Sequence, residues 1–182
     1  HVVAFPRRAG EGADAVLLAR RREQGDAGLT LRRPHLDPPL ARYSVTSPAG
    51  YRQSPVGGTA NGETLHEGVD LFGPLGCDVL AAAPGVVVEL WPPPGGYYRG
   101  HPTFGGMVVI DHGEGFWTRY GHLRSVAVRE GERVAKGQPI GRQGNTGRSD
   151  GEHLHFQVII DPLVFFSAPI GINDRQRQEL LR

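Results

Sequence analysis

The sequence predicts a mainly β protein, an antiparallel sheet or sandwich, with one short helix at the C-terminal end. Three observations lead there. Glycine and proline, 27 and 15 of 182 residues, fall between short apolar runs, which is the pattern of strands joined by tight turns. The runs are rich in β-branched side chains, which suit a pleated, half-buried surface. They also follow one another closely without intervening helical periodicity, which argues against a parallel α/β sheet.

Taken in order, residues 1–43 form a basic segment carrying Arg7, Arg8, Arg20, Arg21, Arg22, Arg32 and Arg33. Ala13–Arg20 and Leu29–Arg33 flank the turn Gln24–Gly28, which reads as a β-hairpin or small lobe, although Asp14–Glu23 equally reads as a short helix. The prolines of Pro34-His35-Leu36-Asp37-Pro38-Pro39 break any regular element, because proline lacks the N–H donor and restricts the residue before it. A boundary is placed there, leaving 44–182 as the main domain. Its clearest strands are Asp78–Ala82, Val86–Trp91, Met107–Asp111, Phe116–His122, Val126–Val128 and His153–Ile160. Turn signals bound many of them, as at Pro84-Gly85, Gly105-Gly106 and Gly113-Glu114-Gly115. The stretch Pro92–Thr103 is an irregular insertion long enough to form a functional rim. Asn173 and the helix formers after it, as far as Leu181, predict the terminal helix.

Composition removes several classes of function. A hydrophobic share of 38% supports a packed core, too high for a disordered chain. A net charge of +1 and the lack of a basic face with interleaved aromatics give no footprint for nucleic acid. No apolar run approaches the roughly 18 residues a membrane span needs. Cys77, the single cysteine, excludes an intrachain disulfide framework and any Cys-rich zinc site; it reads as a small apolar filler. The chain opens at His1 without a charged-then-apolar leader, as expected of a processed or trimmed chain.

Three short pieces carry the chemistry. In His66-Glu67-Gly68-Val69-Asp70, an even separation along an extended segment points His66 and Asp70 to one face. In His153-Leu154-His155-Phe156, period two puts both imidazoles on one face and the apolar pair on the other. In Tyr120-Gly121-His122-Leu123, the same rule places His122 with Tyr120. Imidazole and carboxylate suit Zn²⁺, and three protein ligands with one open position is the catalytic arrangement. Of these four histidines and one aspartate, three can bind a metal and two remain to move protons or stabilise charge. His112, after a strand end, reads as a turn cap, and His101 as a solvated loop residue. His1 and His35 receive no role.

The order of blocks resembles the lysostaphin-like (LytM-type) zinc metalloendopeptidases. The blocks are Ser47-Pro48-Ala49-Gly50-Tyr51-Arg52, His66–Asp70, Val79–Val87, Tyr120–Leu123, Gly131–Gly141, Gly144–Gly147 and Ser149–Phe156, together about two thirds of the chain. The resemblance implies a β-sheet groove with Zn²⁺ on its floor, bound by His66, Asp70 and His155. It implies that His122 and His153 are the catalytic pair, activating water and stabilising the tetrahedral intermediate. It further implies cleavage of peptidoglycan stem or cross-bridge peptides, in the periplasm or outside the cell, with a divisome or cell-wall protein as a second kind of partner. Relatives that have lost ligands regulate amidases instead; this chain keeps all five positions. Ala49 replaces a usual Phe, and Glu152 replaces a usual Pro before the His-x-His pair. N-terminal segments in the family can cover the groove and donate a ligand, a role open here to Asn61 or to a residue before Tyr43. A third reading takes Lys136, in Val134-Ala135-Lys136-Gly137-Gln138, as the modified lysine of a biotinyl or lipoyl carrier turn, but it leaves the histidines unexplained.

Overall fold

The computed structural model describes residues 34–53, 63–93 and 100–160. The expected N-terminal hairpin and C-terminal helix, and Asn61, lie outside these. The described residues are built of twelve strands: β1 (Ser44–Ser47), β2 (Gly50–Gln53), β3 (Glu63–His66), β4 (Val69–Phe72), β5 (Asp78–Leu80), β6 (Gly85–Trp91), β7 (Gly106–Asp111), β8 (Phe116–Leu123), β9 (Ser125–Val126), β10 (Arg133–Val134), β11 (Pro139–Arg142) and β12 (Leu154–Ile160). Every pairing is antiparallel. Among the described residues no helix is long and apolar enough to cross a membrane.

Seven strands form the main sheet in the order β1-β4-β12-β8-β7-β6-β10, three form a second sheet (β5-β11-β9), and β2 and β3 make a separate hairpin. Alternation sorts the main sheet into two faces. Leu71, Leu154, Tyr120, Val108, Ile110 and Val87 point to one side and meet Val79 and Ile140 of the smaller sheet in a common core. Leu40 is buried in the same core, 1% exposed, so the chain before β1 helps to seal it. Tyr120 is fully buried, with its Oη accepting from the Ala82 N–H at 2.8 Å and lying 2.9 Å from Thr118 Oγ1. Burial raises its phenol pKa to about 12, so the hydroxyl stays protonated and belongs to the core.

The opposite face carries Asp70, His155 and Gly121 in one row of the ladder, since Asp70 pairs with His155 and His155 with Gly121. The next row on that face runs Gln157, Arg119, Val109, Glu89 across β12, β8, β7 and β6. Trp91 is 38% exposed, because it lies on this outer face opposite Met107 and not in the core.

Candidate active site

His66 and Asp70 do not share one extended strand. In such a strand they would stand about 13 Å apart. The chain instead turns at Glu67-Gly68, passing from β3 to β4, and His66 Nε2 comes to 3.0 Å from Asp70 Oδ1. Glycine permits the turn to nest against β12. A Cβ at Gly68 would lie 2.6 Å from the Phe156 carbonyl oxygen and 2.7 Å from His155 Nε2, closer than side-chain carbons pack.

His155 Nδ1 completes a triangle, 3.0 Å from His66 Nε2 and 3.0 Å from Asp70 Oδ1. All three residues are buried. Their protonation shows what the triangle can hold. His66 Nδ1 lies 2.8 Å from the Pro48 carbonyl oxygen, which leaves Nε2 to face the carboxylate. Burial works against charge on Asp70, yet hydrogen bonding to His155 and His66 outweighs it and holds the carboxyl well below the usual carboxylate range. Burial also lowers the pKa of His155, favouring the neutral ring. Once the protons shared with the carboxylate are displaced, two imidazole nitrogens and a carboxylate oxygen converge as electron-pair donors. Ligands of a tetrahedral zinc, at about 2.0–2.1 Å from the ion, stand roughly 3.3 Å apart. The donor set fits a metal ion, and His66, Asp70 and His155 could hold one.

His122 and His153 flank the triangle. Strict alternation puts His122 beside Tyr120 in the core; the structure puts it on the opposite side. Between Gly106 and Val108 the β7–β8 register shifts, with Gly121 and His122 of β8 against Met107 alone of β7. His122 takes a left-handed backbone, φ 62°, and the bulge re-aims its side chain. Its ring lies 6.0 Å from that of His155 and 4.7 Å from that of His153. Such a conformation costs about 1–3 kcal/mol and is held by four hydrogen bonds. The His122 N–H donates to the Phe104 carbonyl at 2.7 Å, Nδ1 donates to the Thr146 carbonyl at 2.7 Å, and Thr146 Oγ1 bonds Leu123 O and Gly106 N. Gly105 makes room for this junction, since a Cβ there would sit 2.3 Å from Thr146. His153 bridges to Gly144 ahead of β12. Its Nδ1 donates to the Gly151 carbonyl at 2.8 Å, and Nε2 lies 3.5 Å from Asp70 Oδ1. Burial, opposed by the Thr146 bond, brings the His122 pKa down to about 4.

Several contributors were not singled out in the sequence for the parts they play. Arg52 Nη2 donates to Asp70 Oδ2 at 3.3 Å. Phe104 places its ring 5.2 Å from His155 and under the Arg119 guanidinium. Gln143, fully buried, accepts from Gly73 N and donates to Gly73 O. Arg52 had a signal, since it closes the first quoted block; Phe104 and Gln143 had none. The Glu152 carboxylate accepts from Gly76 N and from Gln143 Nε2, tying its turn to the loop before β5. His112 spans Pro84 O and Thr118 Oγ1 with its two ring nitrogens, and His101 Nδ1 accepts from the Thr103 and Phe104 N–H groups. Both act as local braces.

A β-sheet floor that gathers two histidines and an aspartate into a buried donor triangle, with two further imidazoles beside it, is the architecture of a metallopeptidase. The chain belongs to peptidase family M23, which its residues 64–163 match, in agreement with the resemblance carried by the sequence blocks. It is 43% identical over 95 residues to the peptidoglycan DD-endopeptidase ShyA of Vibrio cholerae, covering 52% of this chain and 20% of ShyA. It is 39% identical over 124 residues to the DD-carboxypeptidase/endopeptidase Mpg of Neisseria meningitidis, covering 68% of this chain and 26% of Mpg. A zinc-containing peptidase from Vibrio cholerae superposes with a TM-score of 0.58 at 34% identity, covering 70% of this chain and 37% of that one. The chain therefore spans well under two thirds of the length of these relatives.

Proposed function

We propose that the protein is a zinc endopeptidase that hydrolyses peptidoglycan peptides outside the cytoplasm, with the D,D-specificity of its named relatives. The observation that carries this reading is the buried triangle of two imidazole nitrogens and a carboxylate oxygen, 3.0 Å apart. His66, Asp70 and His155 hold the metal, and the zinc-containing structural relative supports zinc. Bound zinc supplies a Lewis acid that brings the pKa of its water to about 7 and polarises a peptide carbonyl.

The protein's own groups handle the protons. His122 keeps its single proton on Nδ1, against Thr146 O, so Nε2 is free to take a proton from the attacking water and pass it to the departing amine. Its lowered pKa keeps Nε2 available at neutral pH. His153 is also tied through Nδ1 to Gly151 O, and with a proton on Nε2 as well it donates to the charge that develops on the carbonyl oxygen. Phe104, packed against His155, keeps that edge of the site apolar.

The test joins zinc stoichiometry with release of new amino groups from purified peptidoglycan. Expected are about one zinc per chain and release that chelator abolishes and zinc restores. A chain that takes up no zinc overturns the reading. Peptidoglycan left intact by the zinc-loaded protein points to the regulator of amidases instead.

A further inference from the structure

The triangle has a cation at its edge that the proton chemistry above does not use. Arg52 lies on β2 opposite Thr64 of β3, two residues from the Gly50–His66 pair, so alternation keeps it on the His66 side of the hairpin. Its Nη2 reaches Asp70 Oδ2 at 3.3 Å, while Asp70 Oδ1 is the atom that meets His66 and His155. Arg52 therefore stands one carboxylate away from the metal position. Its side chain is 31% exposed where that of Asp70 is 9% exposed. Its Nε is buried without a partner. One long contact to Asp70 leaves most of a planar, five-donor guanidinium unspent, and that shape matches a second carboxylate arriving from the groove.

The bond proposed for cleavage supplies such a group. When a carboxypeptidase removes a terminal D residue, the residue on the amine side carries the C-terminal carboxylate. In a D,D cross-link to a diamino acid, the carbon that bears the amine also bears a free carboxylate. In both, one carbon separates the departing nitrogen from the carboxylate, so its receptor must lie beside the metal. We propose that Arg52 is a specificity-determining residue that receives the free carboxylate of the residue on the amine side of the scissile bond. This rests on the D,D-peptidase reading. Arg119, on the same side of the main sheet as His155, is a row further along, bonded to Gln157 Oε1 at 2.7 Å and stacked 4.7 Å from the Phe104 centroid.

The experiment compares N-acetyl-D-Ala-D-Ala with its C-terminal amide, by calorimetric binding to the zinc-loaded full chain and separately by cleavage. The variants are Arg52→Gln, Arg52→Lys and Arg119→Gln. Wild type is expected to bind the acid roughly tenfold better than the amide. Arg52→Gln should bring the two together at unchanged zinc content, Arg52→Lys should keep part of the preference, and Arg119→Gln all of it. If Arg52→Gln loses zinc or fails to fold, Arg52→Lys, which keeps a cation beside Asp70, carries the comparison alone, and an undiminished preference there overturns the inference. So does a preference that survives Arg52→Gln or disappears in Arg119→Gln. Acid and amide bound and cut equally by wild type would overturn the Arg52 assignment and leave the peptidase reading standing. Carboxylate-selective, Arg52-dependent binding by a protein that cuts nothing would do the reverse.

Discussion

Asp70 and His155 face each other across neighbouring strands of a regular antiparallel ladder, whereas His122 and His153 are carried by backbone that departs from it. Asp70 and His155 are fixed by cross-strand hydrogen bonds and by Leu71 and Leu154, which anchor the same strands in the core. His122 owes its place to a bulge, a left-handed φ and a junction of three loops. His153 sits in an isolated bridge, its ring set by a carbonyl two residues away. This division suits the proposed roles: metal donors tolerate little displacement, and the stiffest element of the fold supplies two of them, while the groups proposed to move protons enter the same space from another direction, where the pleat of a sheet cannot aim them.

Mutation can sharpen that contrast. The largest effect is expected for Asp70→Ala or His155→Ala, which should lose stoichiometric zinc and with it roughly 10³-fold or more in activity, read by elemental analysis and peptidoglycan hydrolysis. His122→Ala should keep zinc and lose about 10²–10⁴-fold in kcat; full activity in that variant would sink its catalytic role. Gly68→Ala forces a methyl group against Phe156 O and His155 Nε2, an overpacking expected to cost about 1–3 kcal/mol by denaturant unfolding and to weaken metal affinity. Gly131→Ala, where a Cβ meets nothing within 4 Å, should leave metal affinity unchanged, the contrast that separates close approach from glycine loss in general.

The smallest effect is a pH dependence of the metal-free protein. The His122 pKa falls from 6.5 to about 4 on folding, chiefly through burial. Between those values the unfolded chain holds a proton that the folded chain does not, so stability rises with pH. The contribution is complete above about pH 6.5 and is lost as the pH falls towards about 4. Asp70, whose pKa is lowered from 3.8, adds loss in the same direction below that value. The Tm of metal-free wild type should therefore drop between pH 7 and pH 4.5, and His122→Asn should flatten that drop.

β6, β7, β8 and β12 were legible because runs of six to eight residues show period two; β5 and part of β9 were named as well, whereas β4, β10 and β11, of two to four residues, were missed. β1, β2 and β3 were not legible either: four residues each, largely exposed where described, they leave no alternation to read. The five candidate residues, His66, Asp70, His122, His153 and His155, were singled out by residue type and block order, and the pairing of His153 with His155 followed from the pleat. The positions of His66 and His122 did not follow, because a turn at Gly68 and a bulge at Gly121-His122 break the rule that would have placed them. Glu152 showed the converse. Its charge was visible, but its partner, a backbone N–H 76 residues away in sequence, was not.

The sequence by itself determined that this is a β protein, that its candidate site is built of histidine and aspartate with hardly a cysteine, and which family it belongs to. Those properties reside in residue types, local spacing and the order of blocks. Only the tertiary structure decided that three donor atoms from β3, β4 and β12 close to 3.0 Å, that Tyr120 and His122 part to opposite sides of one strand, and that Arg52 meets Asp70 at 3.3 Å. The physical reason is that local preference sets how a strand alternates, while bulges, strained φ angles and contacts across 89 residues of chain exist only once the sheets have packed and can hold them.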